Sequence, residues 1–222
     1  MEISKDWLLG KINPATRPEF VEVPLHLCDE PGHFLLKPVL ESWIQLHTLA
    51  EESGIELKII SSTRTFERQK TIWENKWFGK TLTNGIDLSQ TSYNDKEKAL
   101  EILKYSAMPG TSRHHWGTDL DFNSVENDYF KTDKGFKEYI WMKLNAGNYG
   151  FSRPYCDMAA RENKGYQEEQ WHWSFFPLSR SFRKAYLETI RYSDINGFEG
   201  SNTAQELHIF EDYVDGISNN CK

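Results

Sequence analysis

The stretch Pro109–Phe122 reads PGTSRHHWGTDLDF. It gathers two histidines, a serine, an arginine and two aspartates around Gly117. Its second half, Thr118–Asn123, alternates like a short strand. Thr118, Leu120 and Phe122 are expected to face a core, with Asp119, Asp121 and Asn123 on the other side. Two carboxylates and an amide on one buried face are costly without a counter-charge, and a cation is the usual answer. Gly117 lets the chain turn, so that His114 or His115 can swing over the same face.

A second cluster, GYQEEQWHWSF, runs from Gly165 to Phe175. In a strand, Trp171 and Trp173 would point one way and His172 the other. Glu168 or Glu169 stands just upstream. One histidine and one carboxylate from each cluster would make three zinc ligands and a spare base, the ingredients of a catalytic zinc site. A third piece is SSTRTFERQ, Ser61–Gln69. Arg64 sits where a strand gives way to a helix, a suitable place for a guanidinium that grips a carboxylate with two hydrogen bonds. Each piece has a plainer reading: the tryptophans as core, Arg64 as a surface ion pair, Gln69 as a polar helix face, and Glu168–Glu169 as a solvated pair. His26, His33, His47 and His208 are read as structural or exposed.

Outward from these clusters the pattern is mixed. Pro38 suits a first helical turn, and the helix it opens should stop at Gly54. Ile55–Thr63 reads as a strand and Phe66–Trp77 as a helix. A third helix covers DKEKALEILKYSA, ended by Pro109–Gly110, and a fourth covers FKEYIWMKLNAGNYG, closed by Gly147. EQWHWSF is a strand and SRSFRKAYLETIRY a fifth helix. Residues 1–34 look like an irregular arm with four prolines, and the tail from Asp194 gives weak signals. Helices separated by short strands, without a regular βαβ rhythm, predict an α+β fold.

The chain has 222 residues, enough for one domain with a sizeable core. Its net charge of −7 disfavours nucleic acid and acidic membrane surfaces as partners. No apolar run approaches a membrane span, and the start lacks the features of a signal peptide. Cys28, Cys156 and Cys221 form no C-x-x-C pair, leaving open one disulfide with a free thiol or three buried thiols.

Taken together, the three pieces resemble the VanY-type zinc D-Ala-D-Ala carboxypeptidases. That family carries S-x-H-x-x-G-x-A-x-D and, later, E-x-x-H. Here the motifs are Ser112–Asp121 and Glu169–His172, preceded by Arg64 and Gln69, so the resemblance spans about Ile55 to Phe176. It implies a small central antiparallel sheet with packed helices, the fold shared with lysostaphin-type and hedgehog zinc domains. The whole of 1–222 would be one zinc peptidase domain, with an N-terminal arm 1–34 and a C-terminal extension 194–222. It further implies His114, Asp121 and His172 as ligands of Zn2+, and Glu169 as the general base. Arg64 would stabilise the developing oxyanion or hold the substrate carboxylate. Ser112 and Gln69 would position the peptide end.

The implied activity is removal of the C-terminal D-Ala from peptidoglycan stem peptides. An L,D-carboxypeptidase or a stem-peptide endopeptidase is the nearest alternative, and a zinc-stabilised binding module is an alternative of another class. The expected location is the periplasm or cell envelope with an export signal removed, the cytoplasm being the alternative. The family has a small residue where this chain has Asp119, which is expected to support a ligand histidine from behind. His115 matches no ligand position. Strand parity favours Glu168 on the face of His172, whereas the family spacing favours Glu169; both hold only if the backbone bends near Gln170.

Overall fold

The computed structural model describes residues 2–222. In chain order its main elements are α1 (Lys5–Leu8), β1 (Phe20–Glu22), β2 (Phe34–Leu36), α2 (Lys37–Glu52), β3 (Ile59–Ser61) and α3 (Phe66–Trp77). Then follow α4 (Asp95–Ile102), β4 (Asp119–Phe122), α5 (Asp133–Asn145), β5 (Phe151–Ser152), β6 (His172–Phe175) and α6 (Phe176–Thr189). Strands β3-β4-β6-β5 form one antiparallel sheet, and β1 and β2 form a separate hairpin-like pair. This is the expected α+β arrangement.

The helices that position the site are locally encoded. The Thr65 side chain caps α3 by accepting from the Arg68 N–H. Phe66, Gln69, Trp73 and Trp77 then recur at helical spacing and are buried. Pro38 stands in the first turn of α2, and Gly54 follows its end with φ +71°. Gly117 turns the chain into β4 with φ +81°, and a Cβ there would run into the Phe20 ring.

Several boundaries differ from the sequence reading. Residues 2–34, expected as an irregular arm, carry α1, β1 and the first residue of β2, and Trp7 is fully buried, its ring 5.2 Å from Phe182. The strand expected over Ile55–Thr63 is paired only at Ile59–Ser61, because the Asn123 side chain takes the Lys58 N–H. α4 ends at Ile102, before the KYSA segment. α5 starts earlier and ends at Asn145; a 3-10 turn, Ala146–Tyr149, follows, with Gly147 inside it and Gly150 closing it at φ +77°. α6 begins at Phe176 because Pro177 occupies its first turn.

The tail beyond Asp194 is not weakly structured. It packs Phe198 against Trp73, at 5.9 Å between ring centroids, and buries Leu207, Ile209 and Val214. The three cysteines are free thiols, with Cys28 and Cys221 buried.

Candidate metal centre and active-site cleft

β4 is buried on both faces, so the expected split into core and open sides does not describe it. On the side that carries Asp119 and Asp121, Arg113, His114 and His172 close over the carboxylates. Asn123 leaves the strand with φ +57° and binds the backbone of Glu56 and Lys58 instead.

Asp121 stands directly opposite His172 in the β4–β6 ladder. Ser112 caps the 3-10 turn Arg113–His115 and thereby sets His114 above the same point. His114 Nδ1 donates to the Ser62 carbonyl at 2.8 Å, leaving Nε2 free to face inward. His114 Nε2 lies 3.2 Å from His172 Nδ1 and 3.3 Å from Asp121 Oδ1; His172 Nδ1 lies 3.1 Å from that same oxygen. Ligands at ~2.0–2.1 Å around a tetrahedral ion stand roughly 3.3 Å apart, so this triangle has the size of one tetrahedral face. Asp121 Oδ1 is buried between the two imidazoles and, among the described residues, receives no well-aligned hydrogen bond. A cation is the partner that this atom lacks, and the residues present fit one.

The electrostatics agree. Burial, with the Arg64 charge, pushes His114 down to about 4, so it is a neutral imidazole able to ligate. His172 moves the other way. Burial opposes its charge, but the carboxylates of Asp119 and Asp121 prevail and raise it to about 9. A cation held at Nδ1 would compete with that proton.

Behind His172 lies a network that the motif reading only partly anticipated. His172 Nε2 is 3.0 Å from Asp119 Oδ1, as expected for a support of a ligand histidine. The same oxygen accepts from Arg113 Nε at 2.9 Å, and Arg113 Nη2 donates to Ser174 Oγ at 2.7 Å. Arg113 is 1% exposed and Asp119 fully buried. Burial alone would raise the Asp119 carboxyl; Arg113 overrides it and holds the group well below the usual carboxylate range. Arg113 carried no signal in the sequence beyond filling a variable position of the motif.

Glu169 is buried, and its Oε2 lies 3.6 Å from His172 Nδ1. Its N–H donates to the Tyr155 carbonyl at 3.0 Å. Burial pushes its carboxyl up to about 8. Glu168 points away, ion-paired to Arg153 at 2.7 Å. The parity argument failed because β6 begins only at His172, so residues 168–171 are not in a regular ladder.

Arg64 Nη2 approaches Asp121 Oδ2 at 3.5 Å, and Nη1 donates to Gln69 Oε1 at 3.0 Å. Its carbonyl accepts from His115 Nδ1 at 2.7 Å, so His115, fully buried, pins the backbone of Arg64. Gln69 lies behind Arg64, its amide donating to the Ala107 carbonyl at 2.8 Å. Neither Gln69 nor Ser112 lines the cleft. The cleft itself, about 1200 Å³, opens over Asp121, Glu169 and Arg64.

Comparison with known proteins agrees with the motif reading. The family model for VanY, D-alanyl-D-alanine carboxypeptidase, matches residues 32–178. The D-alanyl-D-alanine carboxypeptidase of Enterococcus faecalis is 26% identical over 168 residues, 76% of this chain and 57% of that protein. The chain spans 45% of YodJ from Bacillus subtilis, at 28% identity over 142 residues and 63% of this chain. Among solved structures, a vancomycin-resistance D,D-pentapeptidase VanY mutant in complex with Zn(II) superimposes with TM-score 0.52 at 24% identity, covering 75% of this chain and 88% of that one. The LdcB LD-carboxypeptidase superimposes with TM-score 0.56 at 18% identity, covering 92% and 81%. At these identities the two structures show a shared fold.

Proposed function

This chain belongs to the VanY D-alanyl-D-alanine carboxypeptidase family, and from that premise we propose that it is a zinc peptidase removing the terminal D-Ala of peptidoglycan stem peptides in the periplasm or cell envelope. The observation that carries this reading is the triangle of three inward ligand atoms, 3.1–3.3 Å apart, with Glu169 and Arg64 on the same cleft. Held by His114 Nε2, Asp121 Oδ1 and His172 Nδ1, zinc would supply Lewis acidity toward a carbonyl oxygen and toward water.

The protein's own groups do the rest. Glu169 accepts a proton from the attacking water and returns it to the departing amine. Its backbone bond to Tyr155 and its burial keep it beside the ligand triangle. Arg64 Nε is buried and has no acceptor among the described residues. Together with the partly free Nη2, it offers donors to the carbonyl oxygen as that oxygen gains charge. Gln69 holds the guanidinium at this angle, and Ser112 holds the turn that carries His114.

Mass spectrometry of purified muropeptides tests the reading. The zinc-loaded protein should convert pentapeptide stems to tetrapeptide. Conversion of tetrapeptide to tripeptide instead would reassign it as an L,D-carboxypeptidase, and cuts within the stem as an endopeptidase. A binding module is disfavoured because a purely structural zinc needs neither Glu169 nor Arg64. Binding of wall peptide that survives chelation, with no hydrolysis under any condition, would restore it.

Two variants follow from the surroundings of the triangle. Arg64→Lys should lower kcat and kcat/KM together by about a hundredfold, as for loss of one oxyanion donor, because an ammonium cannot reproduce the fork. A rise in KM with kcat spared would assign Arg64 to ground-state binding. Asp119→Asn should weaken zinc affinity by about 10–100-fold, read by competition with a chelating dye. Unchanged affinity would show that Asp119 does not orient His172.

A further inference from the structure

α3 turns one face toward the cleft, with Arg68, Ile72 and Lys76 spaced four residues apart along it. Arg68 is exposed, whereas Lys76 is half-buried. The Lys76 ammonium has three donors, and the protein uses one, to Ser106 Oγ at 2.7 Å. It has no carboxylate partner among the described residues. Lys76, Arg64 and Glu169 line the same cleft, and burial, then the Arg64 charge, depress the Lys76 pKa while Glu169 and Glu126 oppose the shift. Ser106 also lines the cleft.

We propose that Lys76, with the Ser106 hydroxyl, anchors the free α-carboxylate of the residue that leaves, and so makes this cleft act at chain ends. The inference rests on the peptidase reading and refines it. Hydrolysis of a terminal bond brings a carboxylate into the cleft within one residue of the scissile carbonyl. That carboxylate loses water and needs a buried counter-charge. In the peptidase reading the unpaired Nε and partly free Nη2 of Arg64 serve the scissile carbonyl, so the carboxylate one residue on needs another cation. Lys76 is the half-buried cation left without an acid. Glu126 and Asp128 also face the cleft but are solvated acids at its mouth and do not pair with Lys76. A chain continuing past the scissile bond would set a neutral amide against Lys76. The ammonium would then be desolvated without a partner, which penalises internal cleavage. Ile72, between the two basic residues of α3, offers an apolar contact that suits the methyl of alanine.

The test compares one stem pentapeptide as its C-terminal acid and as its C-terminal carboxamide. On wild-type zinc-loaded protein, kcat/KM should favour the acid by about a hundredfold, the worth of a lost charged hydrogen bond at a partly buried site. In Lys76→Gln the ratio should collapse to within about tenfold, with KM for the acid raised and the amide little affected. The ratio is taken on one sample, so it does not depend on the folded fraction. A ratio preserved in Lys76→Gln, or a wild-type enzyme indifferent to the amide, overturns the inference and leaves the peptidase reading intact. Wild-type protein that cleaves neither peptide fails the peptidase reading instead. Calorimetry of the two peptides in the Glu169→Gln background then reads Lys76 by itself: binding of the acid that is unchanged by Lys76→Gln overturns the anchor.

Discussion

Glu169→Gln is expected to lower kcat by about 10²–10⁴-fold while zinc content, by elemental analysis, stays at the wild-type level. The amide is nearly isosteric but cannot accept the proton of the attacking water. Glu169 is not one of the three inward ligand atoms, its Oε2 lying 3.6 Å from His172 Nδ1. Its backbone bond to Tyr155 does not involve the side chain, so the local fold should hold. Burial pushes the carboxyl up to about 8, so this pocket favours a neutral side chain, the amide suits it, and stability should not fall. Turnover equal to wild type would remove Glu169 as the base, and a variant that loses zinc would make it a ligand.

His172→Ala is expected to lose both properties. The imidazole supplies one corner of the triangle, and two remaining protein ligands are fewer than zinc sites of this class use. The loss also reaches behind the site. Asp119 would keep Arg113 but lose His172, and Asp121 Oδ1 would lose the nearer of its two imidazole neighbours. Activity should drop below detection and zinc should not copurify. A His172→Ala protein with full zinc and residual peptidase activity would place the metal elsewhere. Read side by side, the two variants separate the roles: the first spares metal and loses turnover, the second loses metal and, with it, turnover.

Much of this site was legible in the sequence because its parts are local. The spacing Ser112–His114–Gly117–Asp121 is a turn followed by a strand, and its match to a family motif named His114 over His115 where local alternation left both open. The α3 cap at Thr65 and the helix start of α2 at Pro38 are likewise decided by neighbouring residues. The same holds for the α+β class, read from the alternation of helices and short strands.

What stayed hidden depended on contacts between distant segments. Residues 1–34 carry no helical or strand period long enough to notice. Residues 2–34 order because Trp7 and the β1–β2 pair bury apolar surface against α6 and Gly117. Gln69 read as a polar helix position, yet it is fully buried because Arg64 and the Ala107 carbonyl satisfy its amide. The choice of Glu169 over Glu168 required the start of β6, which is set by pairing with β4 and not by local alternation. Arg113 was invisible for the same reason. A charged side chain at a variable motif position is read as solvated, and only Asp119 and Ser174, brought over it by the sheet, make its burial affordable. The sequence, through its motifs, nominated residues that could ligate and catalyse. The tertiary structure decided which of them face one another, because desolvated charges are tolerated only where distant segments deliver their partners.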